Sequence, residues 1–199
     1  MVEIVFAGRS NVGKSSLIRQ LTGKKVDVGK RPGITRDFNE IELGGDFGIV
    51  DLPGFGYIAG AEEKKQEKIK KKIVQYLEEN EEEIITAVQV IDSSSFIEIA
   101  ERWKKRNQIP VDIELFSFLE ELALKPILAA NKIDNIHSKN RENELNNICE
   151  KLGLDRPWRQ WLDIVVPVSA KTGKGIEDLN KLIKERLKEE GKEDLLRYI

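Results

Sequence analysis

Residues Gly8-Arg9-Ser10-Asn11-Val12-Gly13-Lys14-Ser15, followed by Ser16, set two glycines, a lysine and hydroxyl groups at a spacing that suits an anionic ligand. Glycine allows close approach and backbone angles that a Cβ forbids, so successive N–H groups can converge on phosphate oxygens. Lys14 can bridge two phosphates as a point charge, and the Ser15 hydroxyl can take one coordination position on Mg²⁺. Asp51-Leu52-Pro53-Gly54 adds a carboxylate able to hold a metal-bound water and a Gly54 N–H able to bond a terminal phosphate. Asn131-Lys132-Ile133-Asp134 selects the base. The Asp134 carboxylate can accept from the ring N1–H and the 2-amino group of guanine, whereas adenine has neither donor at that edge. Asn131 can hold the neighbouring loop and the base edge, and the aliphatic stem of Lys132 can cover the ring face. Ser169-Ala170-Lys171 can offer a backbone N–H to guanine O6, which is an acceptor where adenine carries a donor. Such a site rejects the analogue lacking the bonded group by several orders of magnitude, so the expected nucleotide is GTP or GDP with Mg²⁺, not ATP.

These residues need a scaffold, and the hydrophobic pattern supplies one. Val2 to Ala7 reads as a buried strand, and Lys14 opens an amphipathic helix with Leu17, Ile18 and Leu21 on one face, stopped at Thr22-Gly23. Lys24 to Arg36 reads as a mobile loop carrying Thr35, whose hydroxyl and carbonyl can reach the metal and the terminal phosphate. Strands over 37–43 and 46–51 meet at Gly44-Gly45 as a hairpin, and the second delivers Asp51 at its carboxyl end. A long helix over 61–80 follows, with Ile69, Ile73, Tyr76 and Leu77 as its apolar stripe. Its first half holds six lysines and three glutamates between Glu62 and Lys72, either a basic patch for RNA phosphates or a solvated face of ion pairs. Further strands are expected over 84–91, 125–130 and 163–168, and helices over 96–106 and 111–123, with Ser93 to Ser95 available as a cap. Gly191 stops a last amphipathic helix bearing Ile176, Leu179, Leu182, Ile183 and Leu187. His137 reads as a surface residue, Cys149 as a core thiol, and Trp158 and Trp161 as packing residues.

The fold class that follows is α/β: one domain over residues 1–190 and a short C-terminal tail, 191–199. The sheet should be six-stranded and mostly parallel with one antiparallel strand, covered by helices on both faces. The 199 residues hold 33 Lys and Arg against 35 Asp and Glu, so no global basic field exists to capture nucleic acid. One cysteine excludes an intramolecular disulfide. The lack of a signal-like apolar region or a long hydrophobic span points to a soluble, cytoplasmic protein.

GRSNVGKS, Thr35, DLPG, NKID and SAK, in that order, resemble the five guanine-nucleotide motifs of the P-loop GTPase superfamily. Asn11-Val12 within the loop, Pro32-Gly33 before Thr35, and DLPGFGY at Asp51 to Tyr57 are similar to the EngB (YihA-type) GTPases, over nearly the whole chain. The resemblance implies a Ras-like domain, GTP hydrolysis, a role in assembling the large ribosomal subunit, and a link to cell division in bacteria. The partner it implies is the large subunit or its precursor, met by a monomer without membrane contact. It places Lys14, Thr35, Gly54 and Asn11 at the reacting phosphate, and Ser15, Thr35 and Asp51 around the metal. Where many such enzymes carry a water-orienting glutamine, this chain has Phe55, which implies slow intrinsic turnover. In related GTPases with a hydrophobic residue there, the asparagine matching Asn11 helps hold K⁺; Arg31, Arg36 or a partner in trans are rival sources of that charge. The other pathway open to such a domain is tRNA modification or metal transport, although the chain lacks the additional domain or membrane spans those resemblances would need.

Overall fold

The structure, a computed structural model, describes residues 1–23, 38–54 and 63–199, with side chains from residue 67 onward in the last stretch. The expected loop at 24–36, with Arg31, Thr35 and Arg36, and the Phe55 to Tyr57 segment lie outside the described residues. Six strands form one sheet: β1 (Val2–Ala7), β2 (Asn39–Gly44), β3 (Phe47–Asp51), β4 (Ile84–Asp92), β5 (Ile127–Asn131) and β6 (Val165–Pro167). Their spatial order is β2-β3-β1-β4-β5-β6. Among the described residues only the β2–β3 hairpin is antiparallel; every other pairing is parallel. The expected mostly parallel α/β sheet is therefore what the chain forms.

Period-two alternation explains how both faces become core. On β1, Ile4 and Phe6 point to one side with Leu17 and Ile18 of helix α1 (Lys14–Thr22) and Leu179, Leu182, Ile183 and Leu187 of helix α6 (Ile176–Glu189). Val5 and Ala7 point to the other side, where Ile73 and Leu77 of helix α2 (Glu63–Glu79) and Leu115 and Leu119 of helix α4 (Val111–Glu121) cover them. Farther along, Phe96 of helix α3 (Phe96–Lys104) and Leu145, Ile148 and Cys149 of helix α5 (Arg141–Lys151) pack under β5. Cys149 is fully buried, and burial pushes its thiol up to about 11. Trp158 is buried and Trp161 partly buried in the same cluster, so both tryptophans pack rather than present rings for stacking. His137 is exposed.

Two local expectations change. Ser95 occupies the position before α3 but makes no side-chain cap; instead Ser94 donates its hydroxyl and its N–H to Asp92 at 2.6 and 3.1 Å. A charged acceptor two residues back thus takes Ser94 away from the helix end. The C-terminal segment is more than an appendage. Leu195 is buried, Leu196 and Ile199 pack on the α1/α6 core, and the Tyr198 ring lies over Gly44-Gly45, where a Cβ at Gly44 would come within 2.6 Å of it. In the lysine-rich part of α2, Lys70 pairs with Glu114 at 2.6 Å, while Lys68 and Lys71 are exposed.

Candidate functional site

In an open α/β sheet, ligands bind outside the carboxyl ends of the strands where the chain direction of connection reverses, here between β1 and β4. Strand register brings the chemistry-bearing residues there. Phe6 pairs with Asp51 across β1 and β3, and Asp92 pairs with Asn131 across β4 and β5. The loop after β1 fits tightly against both. A Cβ on Gly8 (φ +149°) would lie 2.3 Å from the Val90 carbonyl, and one on Gly13 (φ +100°) 2.4 Å from Asn131 Nδ2. Only glycine satisfies both the angle and the approach. Asn11 also adopts positive φ, 65°. Gly13 precedes α1 without any side-chain cap, so the first-turn N–H groups have no intrahelical acceptor and form an anion-binding end.

Lys14 is 8% exposed, and its Nζ donates to the carbonyls of Gly8 at 3.2 Å and Arg9 at 3.5 Å. Burial lowers its pKa, and the Asp51 carboxylate opposes that shift. The lysine thus lies back over the loop, poised to trade weak carbonyl bonds for phosphate oxygens. Ser15 Oγ donates to Asp51 Oδ2 at 2.7 Å. Burial raises the Asp51 carboxyl above its ordinary value, while the Ser15 bond and Lys14 pull it down. Its second oxygen, Oδ1, is buried without a partner among the described residues. A hydroxyl and an under-used carboxylate, both hard oxygen donors, fit Mg²⁺. No group of three or more His, Cys, Asp or Glu that could hold a metal ion occurs among the described residues. Ser10 Oγ donates to the Gly54 carbonyl at 3.3 Å, and a Cβ on Gly54 would fall 2.7 Å from that Oγ. Asp51-to-Gly54 is therefore packed directly on the glycine loop. Ser16 is exposed in the first turn of α1, and Val12 is buried beneath the loop.

On the base side, Asn131 is 1% exposed and uses both ends of its amide: Nδ2 donates to the Val12 carbonyl at 2.8 Å, and Oδ1 accepts from the Ala170 N–H at 3.0 Å. It is a brace between two loops, and the second N–H of its Nδ2 is left over for a ligand. Of the N–H groups in Ser169-Ala170-Lys171, those of Ser169 and Ala170 are engaged internally, which leaves Lys171 as the N–H without an acceptor among the described residues. Asp134 Oδ1 accepts from Ser169 Oγ at 2.6 Å, a bond that holds its carboxyl below the usual range and fixes the side chain in place. Lys132, at φ 61°, donates to the Asn11 carbonyl at 2.8 Å and to Asp92 Oδ2 at 2.7 Å, so its stem spans from β5 to the phosphate loop. Burial alone would raise the Asp92 carboxyl, but the Lys132 and Ser94 bonds outweigh it and hold it low.

Asp92 is thus a site residue that sequence reading passed over, although an acid at the carboxyl end of a buried strand is a usable signal. Gln20, which donates to the Ala170 carbonyl at 3.0 Å, carries no such signal.

A family model described as "50S ribosome-binding GTPase" matches residues 3–132. The protein described as "Probable GTP-binding protein EngB" in Methanopyrus kandleri is 48% identical over an alignment spanning 100% of this chain and 98% of that protein. Its namesake in Methanosarcina mazei is 46% identical, over 100% and 94%. The chain belongs to the EngB family of GTP-binding proteins. A crystal structure of a probable EngB superposes with a TM-score of 0.83 at 46% identity, covering 94% of this chain and 99% of that one. The FeoB G-domain from Methanococcus jannaschii superposes less well, with a TM-score of 0.56 at 29% identity over 94% and 98%. As an EngB-type GTPase with a Ras-like fold, the chain binds guanine nucleotide and hydrolyses GTP. Among the described residues no helix is long and apolar enough to cross a membrane.

Proposed function

We propose that this EngB-family GTPase works as a GTP/GDP switch in assembly of the large ribosomal subunit, acting as a cytoplasmic monomer with slow intrinsic turnover. The observation that carries the reading is the match of residues 3–132 to a family described as ribosome-binding, on a fold whose sheet ends at a built nucleotide cradle. In this reading the N–H groups from Gly8 to Ser16 and the Lys14 ammonium hold the phosphates. Asp134 and the Lys171 N–H read guanine, while Asn131, Lys132, Ser169 and Ala170 keep the base-side loops in register. Ser15 and Asp51, with Thr35, hold Mg²⁺, which when bound neutralises charge on the β- and γ-phosphates. Gly54 meets the γ-phosphate, so its packing on Ser10 couples the phosphate state to the segment that follows. Phe55 cannot orient a water, and Asn11 would share K⁺ at the phosphates, with Arg31, Arg36 or a partner in trans as the rival sources of that charge.

Sedimentation with native large subunits, run with GDP, with a non-hydrolysable GTP analogue and without nucleotide, tests the switch. Association with the analogue alone is expected; no association in any state would remove the ribosomal assignment and leave the GTPase. Turnover in K⁺ against Na⁺, with Asn11→Ala alongside, tests the ion. Equal rates throughout would exclude it.

A further inference from the structure

Arg9 and Asp112 form a contact that the nucleotide-binding roles above leave unused. Asp112 lies in the first turn of α4, directly after Val111, where a helix N-terminus favours a carboxylate. Its side chain is 6% exposed, and Oδ2 sits 3.9 Å from Arg9 Nη1. The other oxygen, Oδ1, is buried without a partner among the described residues. Gln89 fixes the backbone at this point by donating Nε2 to the Asp112 carbonyl at 2.7 Å, and Gln89 is itself paired with Ala7, the residue that leads into the glycine loop. Behind the loop, a cavity of about 150 Å³ is bordered by Arg9, Asn11, Asp92, Phe96, Asp112 and Lys132. A buried carboxylate with one cationic neighbour and one orphan oxygen is costly to keep. The cation it faces belongs to the phosphate loop.

The geometry points to Asp112 as a positioning residue for the phosphate loop, whose carboxylate holds the Arg9 guanidinium and so sets the shape of the Gly8–Gly13 arch for guanine nucleotide. The assignment rests on the GTPase reading of that loop and deepens it. Asp112 never touches the nucleotide; it acts through Arg9. Groups facing it are Arg9 from the loop and, across the same cavity, Asp92 and Lys132 from the ends of β4 and β5; Gln89 on β4 is neutral. Burial, only partly offset by Arg9, pushes the Asp112 carboxyl up to about 6, whereas Asp92 is held low. Passing through that pH therefore changes the charge of Asp112 and not of Asp92. The two consequences have opposite sign. Because the folded-state value is raised, the contribution of Asp112 to native stability is present at low pH and is lost as pH rises through about 6. The grip on Arg9 needs the ionised form and so strengthens over the same interval.

The experiment is a set of Mg²⁺–GDP dissociation constants between about pH 5 and about pH 8. The full-length chain is compared with Asp112→Asn, Asp112→Glu, Arg9→Gln and the Arg9→Gln/Asp112→Asn double variant, with thermal melts alongside. Asp112→Asn should bind GDP roughly 3- to 30-fold more weakly at the alkaline end. That deficit should vanish at the acid end, Asp112→Glu should recover most of it, and the double variant should bind no more weakly than Arg9→Gln. If Asp112→Asn does not fold, Arg9→Gln alone decides, since it should lose the step near pH 6 expected of the parent. Unchanged affinity for Asp112→Asn, or additive losses in the double variant, would overturn the assignment while leaving the GTPase reading intact. A parent chain that does not bind GDP would overturn both.

Discussion

Replacing Asn131 with alanine should weaken guanine nucleotide binding by removing the amide that joins the loops after β1 and β6. The amide joins the Val12 carbonyl at 2.8 Å to the Ala170 N–H at 3.0 Å and is 1% exposed. Truncation leaves one buried acceptor and one buried donor unpaired, each costing about 1–3 kcal/mol, so the brace as a whole is worth about 2–6 kcal/mol. Water entering the space of the lost amide recovers part of that and makes the lower figure the working one. In the free variant the two loops relax apart, and binding must draw them together again, so the cost appears in affinity. At 1.4 kcal/mol per tenfold, about 2 kcal/mol corresponds to a roughly 30-fold weaker dissociation constant. Fluorescent-GDP titration reads it directly, and urea unfolding of the nucleotide-free proteins reports what remains in global stability. A dissociation constant within threefold of the parent, with unchanged urea stability, would refute the brace.

Asp134→Asn replaces an acceptor pair by an amide that offers N–H to the position of the 2-amino group, so GDP affinity should fall by about 100-fold or more while xanthosine diphosphate gains; competition between the two nucleotides measures it. Glu3, 4% exposed, accepts from the Tyr76 hydroxyl at 2.5 Å, and burial raises its carboxyl above the ordinary 4.5. A raised value means its contribution is present below the unfolded pKa and lost as pH rises through the folded one. Glu3→Gln, which keeps an acceptor for Tyr76, should therefore be the more stable protein at about pH 8 and lose that advantage in acid, as read by denaturation midpoints. Cys149, fully buried with its thiol pushed up to about 11, should resist alkylation in the native state at about pH 8 and react on unfolding; rapid native labelling would contradict the packed core around it.

Glycine spacing, Asp51 at a strand end and the apolar runs made the mostly parallel sheet and the site's location legible, because those signals are local: Gly8 and Gly13 are required by angles and contacts at their own positions. The division of labour within the site was not legible, because it depends on partners far apart in the chain. Asn131 could be read as holding a neighbouring loop, but not as joining two, through Val12, 119 residues away, and Ala170, 39 away. Ser94 could be read as a helix cap until the competing carboxylate of Asp92 was in view, and Asp92 in turn gains its place from Lys132, 40 residues on. Asp112 resembles any acid in a first helical turn; only packing shows that it faces Arg9 from inside the protein. The C-terminal residues illustrate the same limit from the apolar side. Leu195, Leu196, Tyr198 and Ile199 follow a helix-stopping Gly191 and carry no period, yet they close the α1/α6 core and cover the β2–β3 hairpin, since a pair of glycines there leaves room for a ring. The hairpin that delivers Asp51 to Ser15 is thus held at its far end by the last turn of the chain, and changes at Tyr198 should reach the Ser15–Asp51 pair through β3 rather than through any contact with it.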